Sequence, residues 1–186
     1  MEIVLASSSP RRRELMALIT PVCRVAVSDV DERAVTAPTP ALLAGALAAA
    51  KCGAVADGLP GCAVVGCDTV VDVDGAVLGK PAGRADARRM LTCLSGRAHL
   101  VHTGVCVRAG ALCEQFTVTS RVHFNPIAPE ELEAYLETEE PYDKAGAYGI
   151  QGRAACFVSG IEGCYFNIMG LPVSRVYAAL RAVGAL

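Results

Sequence analysis

Residues 62–80 read Cys62-Ala63-Val64-Val65-Gly66-Cys67-Asp68-Thr69-Val70-Val71-Asp72-Val73-Asp74-Gly75-Ala76-Val77-Leu78-Gly79-Lys80, and this stretch decides the fold class. Cys62 to Gly66 is a short apolar run, the pattern of a buried strand, and Val70 to Val73 reads as another. Asp74-Gly75 is a strong two-residue hairpin signal. It returns the chain along Ala76-Val77-Leu78 to Gly79-Lys80-Pro81. Counting back from that turn sets Val73 opposite Ala76 and Val71 opposite Leu78. The same register, continued, brings Thr69 opposite Lys80, with Asp68 one step further. Asp68 follows an apolar run, so it is expected to emerge at the end of a buried strand, a common place for catalytic groups in α/β folds. A purely structural ion pair would gather the same groups.

Working outward, Ile3 to Ala6 is a strand that ends in Ser7-Ser8-Ser9-Pro10. Ser9 is placed to cap a helix and Pro10 to occupy its first position. Leu15, Leu18, Ile19 and Val22 give that helix an apolar stripe. Thr39-Pro40 opens a second helix that runs to Lys51, and Arg84 to Leu94 forms a third, closed by Ser95-Gly96. Leu100 to Val107 and Leu112 to Phe124 are two long strands joined at Ala109-Gly110. A helix starts at Pro129 with Glu130 and Glu131 in its first turn, where the dipole favours acids. A glycine-rich stretch, Gly146 to Gly152, leads to a short strand at Cys156-Phe157-Val158, and Pro172 opens the last helix. Helices interleave with strands and hairpins, so the expected class is α/β, with a mixed central β-sheet flanked by helices.

At 186 residues the chain suits one domain, 1–186, with enough apolar sequence (53%) to bury a core. The net charge of −2 gives no electrostatic reason to expect nucleic acid as a partner, so any anion must be met by a local cluster of cations. The longest uncharged stretch, Ala34 to Ala50, is broken by Pro38 and Pro40 and too short to span a bilayer. Met1 to Leu5 carries no basic n-region and no cleavage site, so no signal peptide is read and the expected location is cytoplasmic. The nine cysteines include no CxxC, and most sit among Ala, Val, Leu and Gly. They read as small buried hydrophobes in a reducing compartment. His99 and His102 form an HxxH, but positions three apart in a strand point to opposite faces, which disfavours a shared metal.

Three further constellations carry chemistry. Ser7-Ser8-Ser9-Pro10-Arg11-Arg12-Arg13 places cations at a helix N-terminus, whose free N–H groups and dipole suit phosphate. Without an anion the arginines would repel that end of the dipole. Arg11 and Arg12 share faces with apolar residues and lean toward the core side; a solvated basic turn is the plainer reading. Lys51 is the only charged residue between Ala34 and Ala56, so it either snorkels outward or faces a polar cleft. Asp29-Val30-Asp31-Glu32 is an acidic turn whose hard oxygens suit Mg²⁺, unless it is simply a solvated loop.

Together these segments resemble the Maf family of nucleoside triphosphate pyrophosphatases. The likeness covers Leu5-Ala6-Ser7-Ser8-Ser9-Pro10-Arg11-Arg12-Arg13-Glu14-Leu15, Asp31-Glu32, Lys51, Gly66-Cys67-Asp68-Thr69-Val70-Val71 and Leu78-Gly79-Lys80-Pro81. It ends in Tyr142-Asp143-Lys144-Ala145-Gly146-Ala147-Tyr148-Gly149-Ile150-Gln151-Gly152, so the segments match in order over nearly the whole chain. The resemblance implies an inosine-triphosphate-pyrophosphatase-like fold, two lobes about a cleft, and commonly a homodimer. It implies hydrolysis of a nucleoside triphosphate between the α and β phosphates with a divalent cation, Mg²⁺ or Mn²⁺. The family's aspartate falls on Asp68, as proton acceptor for water. Its cationic positions fall on Arg12, Lys51 and Lys80, and its serine loop on Ser7 and Ser8. The metal is expected at Glu32 and Asp68. Arg11, Thr69 and Gln151 are similar to the dTTP/UTP branch and differ from the 7-methyl-GTP branch. Gln151, as both donor and acceptor, suits the O4 and N3–H edge of uracil or thymine. Two other functions stand beside this one: a nucleotide-binding regulator of septum formation, and a 7-methyl-GTP or non-standard purine pyrophosphatase.

Overall fold

A computed structural model describes residues 1–186. Its strands are β1 (Glu2–Ala6), β2 (Arg24–Val25), β3 (Cys62–Val73), β4 (Ala76–Leu78), β5 (Ala98–Ala109), β6 (Leu112–Phe124) and β7 (Val158–Glu162). Its α-helices are α1 (Pro10–Ala17), α2 (Pro40–Ala56), α3 (Arg84–Leu94), α4 (Pro129–Leu136), α5 (Tyr165–Met169) and α6 (Val173–Ala182). The sheet runs β2-β1-β3-β5-β6-β7, with β4 pairing β3. β1 is parallel to β2 and β3, and every other pair is antiparallel, so the sheet is mixed.

The two strands read from Cys62–Gly66 and Val70–Val73 are one, β3. Asp68 therefore lies in mid-strand, opposite Gly104 of β5, and not at a strand end. The polar pair Asp68-Thr69 interrupts the apolar pattern without interrupting the ladder, because β5 pairs continuously from Ala63 to Asp72. On the other side the ladder is broken. β1 pairs β3 only as far as Gly66, and β4 takes over only at Val71. The sheet is thus notched along Cys67–Val70, and side chains from both faces of β3 reach the notch. The hairpin register, Val73 to Ala76 and Val71 to Leu78, is as the turn requires.

The even-numbered side chains of β3 face α2. An added Cβ on Gly66 would lie 2.4 Å from the Ala48 carbonyl oxygen, and one on Gly104 2.1 Å from that of Ala44. Two glycines thus let α2 lie directly on the sheet. On the opposite face there are two cores. One joins Ile3, Leu5, Leu15, Val65, Val105 and Leu180; the other joins Val71, Leu91, Val101, Phe124, Leu136 and Tyr148. Thr69 and Thr103 stand between them, hydroxyls 2.9 Å apart, and Thr103 donates to the Asn167 carbonyl at 2.8 Å. This polar seam divides the molecule into two lobes carried on the same long strands.

Several local expectations change. α1 stops at Ala17, with Pro21 unable to extend it, and Leu18 and Val22 are exposed; Leu15 and Met16 carry its burial. The Ser9 side chain makes no cap bond. Arg153–Phe157 is a 3₁₀ turn, so the strand expected at Cys156 begins only at Val158. α5 had no counterpart in the sequence reading.

Candidate active site

The close approach of α2 at Gly66 determines where Lys51 goes. Ala48 sits against Gly66, Lys51 follows one turn later, and Asp68 follows Gly66 on the same face of β3. Lys51 Nζ lies 2.6 Å from Asp68 Oδ1 and 2.7 Å from Glu32 Oε1. Its side chain is only 12% exposed, so the lysine does not snorkel to solvent; it faces a cleft. Glu32 reaches it from a short 3₁₀ turn, Glu32–Ala34, that Asp31 caps by accepting from the Arg33 N–H at 3.1 Å. Asp29 and Asp31 are exposed and outside the cleft.

The arginine cluster divides its labour. Arg12 donates from Nε to the Gly170 carbonyl at 2.9 Å, from Nη1 to Ser7 Oγ at 3.2 Å and from Nη2 to Thr69 Oγ1 at 3.1 Å. Gly170 carries a φ of +109° as the left-handed end of α5, which turns its carbonyl back toward the guanidinium. Arg12 is therefore fixed at the junction of the lobes. Arg11 leans across the mouth to Asp143, 3.5 Å away, and Arg13 is exposed. Ser7 is buried, Ser8 is exposed, and both line the cleft beside the uncapped first turn of α1.

Lys80 departs from the expected ladder. Pairing stops at Leu78, because the Gly79 carbonyl accepts from the Gly146 N–H at 3.1 Å and the chain swings toward that loop. Lys80 is left exposed on the rim, lining the same cleft as Asp68 and Thr69 but not facing Thr69 in a strand pair. Gln151 is exposed and lines the same cleft, in a turn closed by Gly152 N–H donating to the Gly149 carbonyl at 3.0 Å. The cleft encloses about 800 Å³. Its walls hold Arg11, Arg12, Arg33, Lys51, Lys80 and Lys144 against Glu32, Asp68 and Asp143, six cations to three anions in a chain whose net charge is negative.

Sequence reasoning gave no individual role to Lys144, Arg33 or Asp143. Lys144 donates to the Glu140 carbonyl at 2.9 Å and pairs with Asp143. Burial would raise the Asp143 carboxyl, but the Lys144 hydrogen bond and charge, with Arg11 behind them, hold it below its ordinary value. The signals for Lys144 were its place just ahead of the glycine-rich stretch and inside the Tyr142–Gly152 segment of the family likeness.

Two carboxylates, Glu32 and Asp68, converge on a single ammonium, so the pair is arranged to share one cation. Their oxygens are the hard donors that Mg²⁺ or Mn²⁺ takes from a protein when substrate phosphates supply further ligands. The residues present fit such an ion. His99 and His102 point to opposite faces of β5: His99 bonds the Tyr148 hydroxyl at 2.8 Å, and His102 lies between Thr119 and Asp72.

Residues 2–183 match the family model described as Maf-like protein. The chain belongs to the Maf family. Its relatives include the dTTP/UTP pyrophosphatase of Symbiobacterium thermophilum, 50% identical over 98% of this chain and 94% of that one. Those of Moorella thermoacetica and Koribacter versatilis, with the same description, are 48% and 47% identical over 98% and 100% of this chain and 95% and 96% of theirs. Among solved structures the Ham1 protein of Staphylococcus aureus is similar, with a TM-score of 0.58 at 16% identity, covering 98% of this chain and 99% of that one. A HAM1 protein from Coxiella burnetii gives 0.53 at 14% over the same shares. That likeness is one of fold.

Proposed function

We propose that this Maf chain hydrolyses dTTP and UTP to the monophosphate and pyrophosphate, acting as a single domain over residues 1–186. The observation that carries the reading is a buried carboxylate, Asp68, held by Lys51 in a cleft whose other walls are mostly cationic. A triphosphate is the small-molecule cargo that such a charge excess suits, and the three closely similar relatives described as dTTP/UTP pyrophosphatases supply the base.

The phosphates lie against the Ser7–Arg12 turn, Lys51, Lys80 and Lys144. Arg12, already fixed by Ser7, Thr69 and Gly170, needs no reordering to present its charge, which is the preorganisation that electrostatic catalysis depends on. Lys51 exchanges part of its contact with Glu32 and Asp68 for phosphoryl oxygen. Asp68 then orients a water toward the α-phosphorus and takes its proton while pyrophosphate leaves. Glu32 and Asp68 would hold Mg²⁺ or Mn²⁺. Once held there, the ion would supply a lowered pKa for water and an offset to phosphoryl charge. Gln151, at the tip of its turn, meets the O4 and N3–H edge of the pyrimidine, with Arg11 and Thr69 completing the discrimination. A homodimer in the cytoplasm is part of the same proposal; sedimentation of the purified protein tests the dimer.

The deciding experiment is pyrophosphate release from UTP, dTTP, GTP, 7-methyl-GTP and inosine triphosphate, with and without Mg²⁺, for the natural chain and Asp68→Asn. Turnover that strongly favours UTP and dTTP over the purine nucleotides, lost by ~10²–10⁴ in the variant with nucleotide binding retained, is expected. Activity of Asp68→Asn within tenfold of the natural chain would remove Asp68 as the base. Binding without turnover would favour the regulatory reading, and preference for 7-methyl-GTP the other branch.

A further inference from the structure

Gln151 sits at the tip of a tight turn, and one carboxylate outside the cleft holds the far side of that turn. Glu140 Oε2 accepts from the Arg153 N–H at 2.8 Å, and Oε1 accepts from the Ala154 N–H at 3.3 Å and the Tyr135 hydroxyl at 2.9 Å. Arg153 and Ala154 open the 3₁₀ turn that follows Gly152. Glu140 thus caps that turn from a different segment, the 3₁₀ turn Glu140–Asp143. The fit is close: a Cβ on Gly152 would lie 2.4 Å from all three carboxyl atoms of Glu140. Gly149, at the other end of the turn, is packed on the Lys144 side chain, where a Cβ would come 2.9 Å from Cε. The Lys144 ammonium in turn donates to the Glu140 backbone carbonyl. Both ends of Gly149-Ile150-Gln151-Gly152 are therefore fastened to one residue, with Ile150 sunk into the core beneath. Glu140 itself does not line the cleft.

We infer that Glu140 is a positioning residue that fixes the Gln151 amide for reading the nucleobase, so that base selectivity depends on a carboxylate that never touches substrate. The inference rests on the assignment of Gln151 to the base. Tyr135 supports the same carboxylate, and its phenol is pushed well above its usual pKa, first by burial and then by the hydrogen bond to Glu140. It therefore stays a donor throughout the working pH range. Replacing Glu140 by Gln keeps the size but exchanges one acceptor oxygen for an NH₂ group. At least one of the three donors then loses its partner, and the turn loosens at the exit side of Gln151. Asp68, Arg12, Lys51 and Lys80 lie in other segments and keep their geometry, and the Lys144 bond goes to the Glu140 backbone carbonyl, which the substitution leaves in place.

The test is a double-mutant cycle on UTP and GTP turnover, using the full chain with Mg²⁺: natural protein, Glu140→Gln, Gln151→Ala and the double variant. Glu140→Gln is expected to raise KM for UTP by about three- to tenfold with kcat within about twofold, and to narrow the UTP-over-GTP ratio of kcat/KM. In the Gln151→Ala background the same change should alter KM by less than about twofold, because its effect travels through that amide. A merely structural role would lower the melting temperature without moving the UTP-over-GTP ratio. If Gln151→Ala abolishes selectivity while Glu140→Gln keeps it, Glu140 is not the positioning residue. If Gln151→Ala leaves selectivity intact, the base assignment itself falls, and Glu140 with it. Should Glu140→Gln fail to fold, Tyr135→Phe removes a single hydrogen bond to the same carboxylate. It should shift the ratio in the same direction, and an unchanged ratio overturns the inference.

Discussion

His99 is buried against Phe124 and Tyr148, its Nε2 bonded to the Tyr148 hydroxyl and its Nδ1 without a partner. Burial, with Arg97 and His123 nearby, pushes its pKa down from 6.5 to about 4. The folded state therefore binds fewer protons than the unfolded state between those values. The stability that a neutral His99 contributes is complete above pH 6.5 and is lost as pH falls toward 4. Thermal melts across that window should show the natural chain losing more stability than His99→Gln, which keeps a partner for the tyrosine but does not titrate. Parallel curves would show that His99 is not the titrating group. At this scale much of the site was legible, and for a physical reason. Asp68, Lys51 and the Ser7–Arg13 turn are charged or polar groups set in apolar sequence, where burial demands a partner. Lys144 and the Gly170 carbonyl were not legible, because one sits in an ordinary charged loop and the other is backbone. The Gly170 carbonyl matters only through its bond to Arg12, 158 residues away, and Lys144 only through the cleft that the fold assembles around it.

Among the elements, α2 and β3 carry the geometry. A methyl group at residue 66 would meet the Ala48 carbonyl at 2.4 Å and the Cys52 Cβ at 2.7 Å, so Gly66→Ala must push α2 off the sheet at the turn that bears Lys51. Overpacking of this kind costs about 1–3 kcal/mol, read by denaturant melts. Activity per folded molecule should also fall by about tenfold or more, as the Lys51–Asp68 contact opens. Gly104→Ala meets α2 nearer its start and should cost similar stability with a smaller loss of activity. Equal activity losses would uncouple Lys51 placement from Gly66. The hairpin, the bounds of α3 and the start of α4 were readable because each rests on local turn or cap chemistry. The continuity of β3 was not, since a strand that stays paired through Asp68-Thr69 depends on β5, which lies far along the chain. α5 was hidden for the same reason: its five residues are held by Asn167 and Ser120 and not by any local helix signal.

For the whole molecule, the cleft concentrates positive charge on a chain of net charge −2. Low-dielectric walls focus such a field, and salt screens it over about 8–10 Å at ordinary ionic strengths. KM for UTP should therefore rise as NaCl is increased from low to moderate concentration, and Lys144→Ala should flatten the slope. A KM indifferent to salt would mean that the cation excess does not recruit the substrate. The two lobes and the notch between β1 and β4 bring these charges to one carboxylate, Asp68, which we propose directs water at the α-phosphorus. Turnover of UTP in H₂¹⁸O, with both products weighed by mass spectrometry, tests it most directly. Water directed by Asp68 at the α-phosphorus puts the label in UMP and leaves pyrophosphate unlabelled. Label in pyrophosphate, or products of UDP and inorganic phosphate, would contradict it.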